Sequence, residues 1–293
     1  MSLIEKALGK ARLSQTTRPV AEPAVTSGKH PILRAPPPRD AENPQIIITD
    51  EMKVRLGLTA PPEQEHQRAA EYRQIKRGLI ADIRENRTNR IILVASALAG
   101  EGKSFTSANL ARSLALEPDY SVLLLDADVV RAHLTHSLRL TQKKGLMNAL
   151  LDHDLDVESL VLSTDVSGLS FLPAGSASEN ATEYFASDRM RSLLETLLLV
   201  PNRIVLIDSL PLLLTTESRA LAPLAGQVLL VVRAESTAQQ AVKQSVALLG
   251  EDVTVKFVLN AVVRTRVSRY FGYDYGYNYE YSKTAPGPQG EKK

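Results

Sequence analysis

Six short apolar runs recur along the middle of the chain: Ile91 to Ala95, Val122 to Leu125, Leu169 to Leu172, Ile204 to Ile207, Val228 to Val232 and Val255 to Leu259. Each is apolar on successive positions rather than on alternate ones, the pattern of strands covered on both faces within a parallel sheet. Between them Phe105 to Leu116, Asp188 to Leu199 and Thr237 to Leu249 repeat apolar residues at helical spacing. Strand and helix in alternation predict a doubly wound, mostly parallel α/β domain over residues 67–264.

The flanks read differently. Nine of the sixteen prolines precede residue 63, so residues 16–66 read as a proline-rich, disordered linker. Ile46 to Ile48 with Thr49 and Asp50 are the exception, a short strand and helix start packed on the main domain. Residues 1–15 form an amphipathic helix: Ser2 and Glu5 make a capping box, and Leu3, Ile4, Ala7, Leu8 and Ala11 share a face. Lys6, Lys10 and Arg12 make its polar side basic, which admits a membrane-surface or partner-docking role; alone, a helix this short frays. Residues 265–293 form a flexible tail holding six of the nine tyrosines, spaced mainly at two among glycine, aspartate and asparagine.

Composition narrows the chemistry. With 44% hydrophobic residues the chain can build a core, and with no cysteine it has neither disulfides nor thiolate metal sites. A net charge of +2 gives no reason to expect a nucleic-acid partner. The sequence shows no signal peptide and no membrane-spanning stretch, so a soluble cytoplasmic protein is expected.

The first strand runs into Ser96-Ala97-Leu98-Ala99-Gly100-Glu101-Gly102-Lys103-Ser104 and then a helix. This is a P-loop order. Loop amides and the helix N-terminus surround phosphate, glycines let the backbone approach, and Lys103 reaches the terminal oxygens while Ser104 offers a hydroxyl to Mg²⁺. Ala97 stands at the position where the pattern has its first glycine. The second strand ends in Asp126-Ala127-Asp128 and the run Ile204 to Ile207 ends in Asp208-Ser209, carboxylates at the strand ends where such sheets bind ligands.

These motifs and the tyrosine cluster together resemble the bacterial tyrosine kinases, a group of deviant Walker ATPases. Within it the chain is similar to the autokinases of exopolysaccharide loci that also encode an exosortase system. Segments carrying that likeness include Ser2 to Arg12, Glu71 to Arg77, Leu172-Pro173-Ala174-Gly175 and Thr216-Glu217-Ser218-Arg219. The resemblance implies an ATP- and Mg²⁺-dependent protein-tyrosine autokinase acting in exopolysaccharide synthesis or export. Gly100, Glu101, Gly102, Lys103, Ser104 and Phe105 would bind the nucleotide, the first five at its phosphates, with Asn260 at the adenine and Ser104, Asp126 and Asp208 on the metal. Lys103, Asp126 and Asp128 would carry catalysis, with either aspartate as the base. Tyr270, Tyr273, Tyr275, Tyr277, Tyr279 and Tyr281 would accept phosphate, between subunits of a homo-oligomeric ring. A separate membrane polysaccharide copolymerase would activate the protein at the inner face of the plasma membrane. In one frame of the ring-forming motif Ala70 takes the acid position and Lys76 the second basic one; in the other, from Glu71 to Arg77, Gln74 stands in the middle. Ala132 stands where proline is common.

Rival readings are an ATPase switch without kinase activity, as in division and partition systems, and a structural protein that binds nucleotide without turnover. Leu98 occupies the position of the signature lysine that such switches carry. The tail also admits reading as a self-associating low-complexity segment.

Overall fold

The computed structural model describes residues 45–250 and 253–263; the opening helix, the linker up to residue 44 and the tyrosine-rich tail lie outside the described residues. Seven strands, β1 (Ile91–Ser96), β2 (Ser121–Asp126), β3 (Leu162–Ser163), β4 (Leu169–Leu172), β5 (Arg203–Pro211), β6 (Gln227–Arg233) and β7 (Val255–Asn260), form one sheet in the order β3-β4-β2-β5-β1-β6-β7. All neighbours are parallel except β3 and β4. The six predicted runs are β1, β2, β4, β5, β6 and β7; the two-residue β3 is too short to leave a pattern.

Nine helices among the described residues cover the sheet: α1 (Asp50–Arg55), α2 (Pro62–Glu85), α3 (Lys103–Ala115), α4 (His133–Ser137), α5 (Leu146–Leu151), α6 (Ala181–Phe185), α7 (Asp188–Leu197), α8 (Glu217–Leu221) and α9 (Gln239–Leu249). All six residues of β1 are buried. Ile92 and Val94 pack with Leu79, Ile83, Leu110 and Leu114 of α2 and α3, whereas Leu93 and Ala95 pack with Met190, Leu193 and Leu249 of α7 and α9. Burial on both faces explains why the strand is apolar at every position.

The packed chain begins earlier than the compositional boundary at residue 67. Ile46 donates its amide to the Ser163 carbonyl at 3.0 Å, and Ile46 and Ile48 are buried. Thr49 caps α1, accepting the Met52 amide on its hydroxyl. Helix α2 then starts at Pro62, in the first turn, where a missing N–H costs nothing, and runs for 24 residues. Lys76 on α2 is buried against α3, donating to the Ser113 carbonyl at 2.9 Å and pairing with Glu117 at 2.7 Å. Arg73 and Arg77, on either side of it, are exposed.

The acids from Asp152 to Glu158 read in sequence as a solvated helix and its cap. In the fold Glu158 grips the buried Arg203 through two 2.6 Å contacts, tying this segment to the start of β5.

The strand order places β5 between β1 and β2, so the loop after β1, the Asp126 end of β2 and the Asp208 position of β5 are neighbours. Asp126 stands opposite Asp208 across the β2–β5 pairing. Between Val94 opposite Asp208 and Ser96 opposite Pro211, β5 carries one extra residue, a bulge of the kind that redirects a strand beside a functional site. Ser209 fills it, donating its hydroxyl to the Val94 carbonyl at 2.8 Å.

Candidate active site

The phosphate loop is held from inside and from one flank. Gly100 and Gly102 have φ of +78° and +95°, which glycine adopts freely, and a Cβ on Gly102 would stand 2.0 Å from the Asn260 amide nitrogen. The Glu101 side chain is buried and turned into the loop, accepting the Leu98 amide at 2.7 Å and the Thr237 hydroxyl. From the neighbouring strand ends, Arg233 donates to the Gly100 carbonyl at 3.1 Å and Asn260 to the Glu101 carbonyl at 2.9 Å. Those contacts leave the loop amides and the N-terminus of α3 on its other side for an anion. Arg233 matches the resembled family's pattern in sequence with no role attached to it, and nothing in the local sequence marks Thr237 as a site residue.

Lys103 is buried at the first position of α3, and burial lowers its pKa while Asp208, Asp128 and Glu101 oppose that shift. Asp208 is fully buried. Its Oδ1 accepts the Ser107 hydroxyl at 2.8 Å, and its Oδ2 has no hydrogen-bond partner. Burial pushes the carboxyl up to about 6, against the hydroxyls of Ser104 and Ser107 and the ammonium of Lys103. An orphaned buried carboxylate oxygen fits Mg²⁺, which takes one or two protein ligands and draws the rest from phosphates and water. Among the described residues no three His, Cys, Asp or Glu side chains gather as a metal cage.

The two aspartates after β2 differ. Asp126 is wholly buried with both oxygens engaged: Oδ1 by the Asp128 amide at 3.2 Å, Oδ2 by the Thr135 amide at 2.9 Å and the Thr135 hydroxyl at 2.7 Å. Burial first, then the charge on Asp208, pushes it up to about 7. Thr135 in turn accepts the Ala174 amide at 3.1 Å, which joins the Leu172 to Gly175 segment to the aspartate. Asp128 instead lines an open cleft of about 430 Å³ together with Gly100, Gly102, Lys103, Ser104 and Arg131. Its Oδ1 accepts the Arg131 amide at 2.8 Å, closing a turn whose Ala132 has φ of +44°, out of reach of proline.

The other sequence-marked residues take supporting places. Ser218 donates to the Leu210 carbonyl at 2.7 Å and Arg219 to the Leu212 carbonyl at 2.8 Å, fixing the chain that leaves β5. The Phe105 ring lies under Arg68, 5.4 Å from its guanidinium carbon, and borders both the cleft and a groove of about 640 Å³ that Asn260 also lines. The tail tyrosines fall outside the described residues.

Residues 89–256 match the AAA domain family, which is more than half of the chain. The chain is 33% identical over 190 residues to a putative tyrosine-protein kinase EpsB of Ralstonia nicotianae, covering 64% of this chain and 25% of that protein. It is 30% identical over 203 residues to the succinoglycan biosynthesis transport protein ExoP of Rhizobium meliloti, covering 67% of this chain and 25% of that protein. The chain thus spans about a quarter of the length of these curated relatives. Among solved structures, the VpsO kinase domain superposes with a TM-score of 0.59 at 27% identity, covering 69% of this chain and 100% of that one. A mostly parallel sheet with a phosphate loop after β1, matched over this span, places the chain in the AAA domain family, among the bacterial tyrosine-kinase domains.

Proposed function

We propose that the chain is an ATP-dependent protein-tyrosine kinase whose acceptors are Tyr270, Tyr273, Tyr275, Tyr277, Tyr279 and Tyr281. The observation that carries this reading is the convergence of Lys103, Ser104, Asp128 and Asp208 at three adjacent strand ends. The similarity to proteins named tyrosine kinases supports it.

In the proposed reaction the phenolic oxygen forms a bond to the γ-phosphorus. The bond to the bridging oxygen breaks, its electron pair leaves with ADP, and the phenolic proton passes to a carboxylate. Lys103 and the loop amides stabilise charge on the transferring group, and Asp128, on the cleft wall, orients the hydroxyl and takes its proton. Asp126 acts from beneath, fixing the Asp128 backbone through its contact with that amide. Ser104 and Asp208 are the residues that would hold Mg²⁺; Asp126, expected from sequence as a third ligand, is left out because both of its oxygens are taken by the Asp128 amide and by the Thr135 amide and hydroxyl. When bound, Mg²⁺ neutralises charge on the phosphates. Adenine is assigned to the Asn260 side.

Residues 67–264 with the preceding packed segment form the catalytic unit, residues 1–15 a docking helix and residues 265–293 the substrate tail. Transfer between subunits of a homo-oligomer, activation by a separate membrane copolymerase at the inner face of the membrane, and control of exopolysaccharide synthesis or export complete the proposal. The similarity to ExoP, a succinoglycan biosynthesis transport protein, supports the last point. Among the described residues no helix is long and apolar enough to cross a membrane.

Mass spectrometry of the C-terminal peptide after incubation with ATP and Mg²⁺ tests the reading. Lys103→Met should lower phosphotyrosine by about a hundredfold or more, the scale of losing one transition-state donor. Unchanged tail phosphorylation in that variant, or phosphate release without phosphotyrosine in the wild type, would overturn it; the second result favours the ATPase switch.

A further inference from the structure

Two large apolar side chains stand out at the cleft mouth. Val130 is 68% exposed and Leu214 60% exposed, and both line the cleft that holds Lys103 and Asp128. They come from different loops, Val130 after β2 and Leu214 after β5, which are sheet neighbours. Each sits on a pinned turn. The Val130 turn is closed by the Arg131 and Ala132 amides on Asp128, at 2.8 and 2.6 Å. The Leu214 turn is closed by the Leu214 and Thr215 amides on the Pro211 carbonyl, and it is tied to the phosphate loop strand by the Leu212 amide on the Ser96 carbonyl at 2.8 Å. Apolar side chains held rigidly in water on the walls of one cleft await an apolar occupant.

We infer that Val130 and Leu214 form an aromatic acceptor subsite that receives the ring of a tail tyrosine and directs its hydroxyl toward Asp128. This rests on the kinase reading and names what that site selects. A serine hydroxyl stands one carbon from its backbone, so reaching the cleft floor would carry the peptide chain between the apolar walls. Tyrosine places its hydroxyl a ring's length further, and the ring is the part that meets Val130 and Leu214. Pro211 adds apolar surface, while Arg131 brings positive charge to the same cleft, suited to a phosphate arriving on the ring. The acceptor segment is within reach. Asn260 is hydrogen-bonded to the phosphate loop, and Tyr270 follows ten residues later, a span of at most about 35 Å when fully extended. Segment 270–281, on this chain or a second copy, is therefore the assigned occupant.

The test uses the full chain with its six tail tyrosines changed to serine, supplied with a peptide of residues 268–283. Val130→Ser combined with Leu214→Ser should raise the peptide KM about tenfold, the scale of losing a few buried methyl groups. The KM for ATP should stay within about twofold. Val130→Ile with Leu214→Met, which keeps the walls apolar, should restore the peptide KM. An unchanged peptide KM in the serine pair, or a parallel rise in both KM values, would overturn the subsite while leaving the kinase reading intact. If the parent protein releases phosphate from ATP but never labels the peptide, the kinase reading fails and the subsite with it.

Discussion

The two flanks of the phosphate loop are built on opposite terms. On the β6 and β7 side, Arg233, Thr237 and Asn260 meet the loop through completed hydrogen bonds. On the β2 and β5 side, three carboxylates crowd into a buried space, and one of their oxygens, Oδ2 of Asp208, has no partner. The first flank supplies rigidity at little electrostatic cost. The second holds charge that the isolated fold cannot satisfy, the arrangement expected where a cation and a phosphate are to be received. The stability of this domain and its chemistry therefore draw on different sides of the same loop.

Substitutions on the β2 and β5 flank should separate the two properties most sharply. Asp208→Asn should lower phosphotransfer by about a hundredfold or more and stabilise the nucleotide-free fold by on the order of 1–3 kcal/mol, since it removes the buried charge whose burial raises the carboxyl to about 6. The sign follows from linkage. Because burial raises the carboxyl to about 6, the folded state keeps a proton that the unfolded chain has released, so stability is full below about pH 4 and is lost as pH rises through 6. Asp126, raised to about 7, extends that loss toward neutrality. Thermal melts of the nucleotide-free protein should fall between about pH 4 and pH 7, with a smaller fall in Asp208→Asn. A steeper fall in the variant would break the contrast.

Thr135→Val tests how the charged flank is contained. The hydroxyl gives Asp126 one of its three hydrogen bonds and accepts the Ala174 amide, so its loss should cost about 1–3 kcal/mol in a urea melt. Thr135→Ser should recover most of it. The smallest effect is expected on the braced flank. Asn260→Ala removes one neutral hydrogen bond to the Glu101 carbonyl, worth about 1 kcal/mol, and should weaken ATP binding about fivefold by calorimetric titration with little change in pH dependence. A loss comparable to that of Asp208→Asn would mean that the flanks are not distinct.

What could be read in advance follows the same division. Lys103, Ser104, Asp126, Asp128 and Asp208 were legible because each lies in a contiguous run whose order, strand then turn then charge, is set by local chain geometry. Their partners were not. Thr135 meets Asp126 from nine positions away, and Thr237 meets Glu101 from 136, so neither leaves a local pattern. Glu101 reads as a loop residue open to phosphate, yet its carboxylate faces inward, a direction set by the Leu98 amide and Thr237. The strands of the sheet were visible because burial on both faces makes every position apolar. The start of α2 was hidden because Pro61 and Pro62 serve both a linker and a helix start, and only packing against α3 decides between them.

The left-handed backbone at Ala132 bears on how the segment after Asp128 can drift over generations. An L-residue there forgoes about 1 kcal/mol, so glycine or asparagine can enter cheaply and proline is shut out unless the whole turn is redrawn.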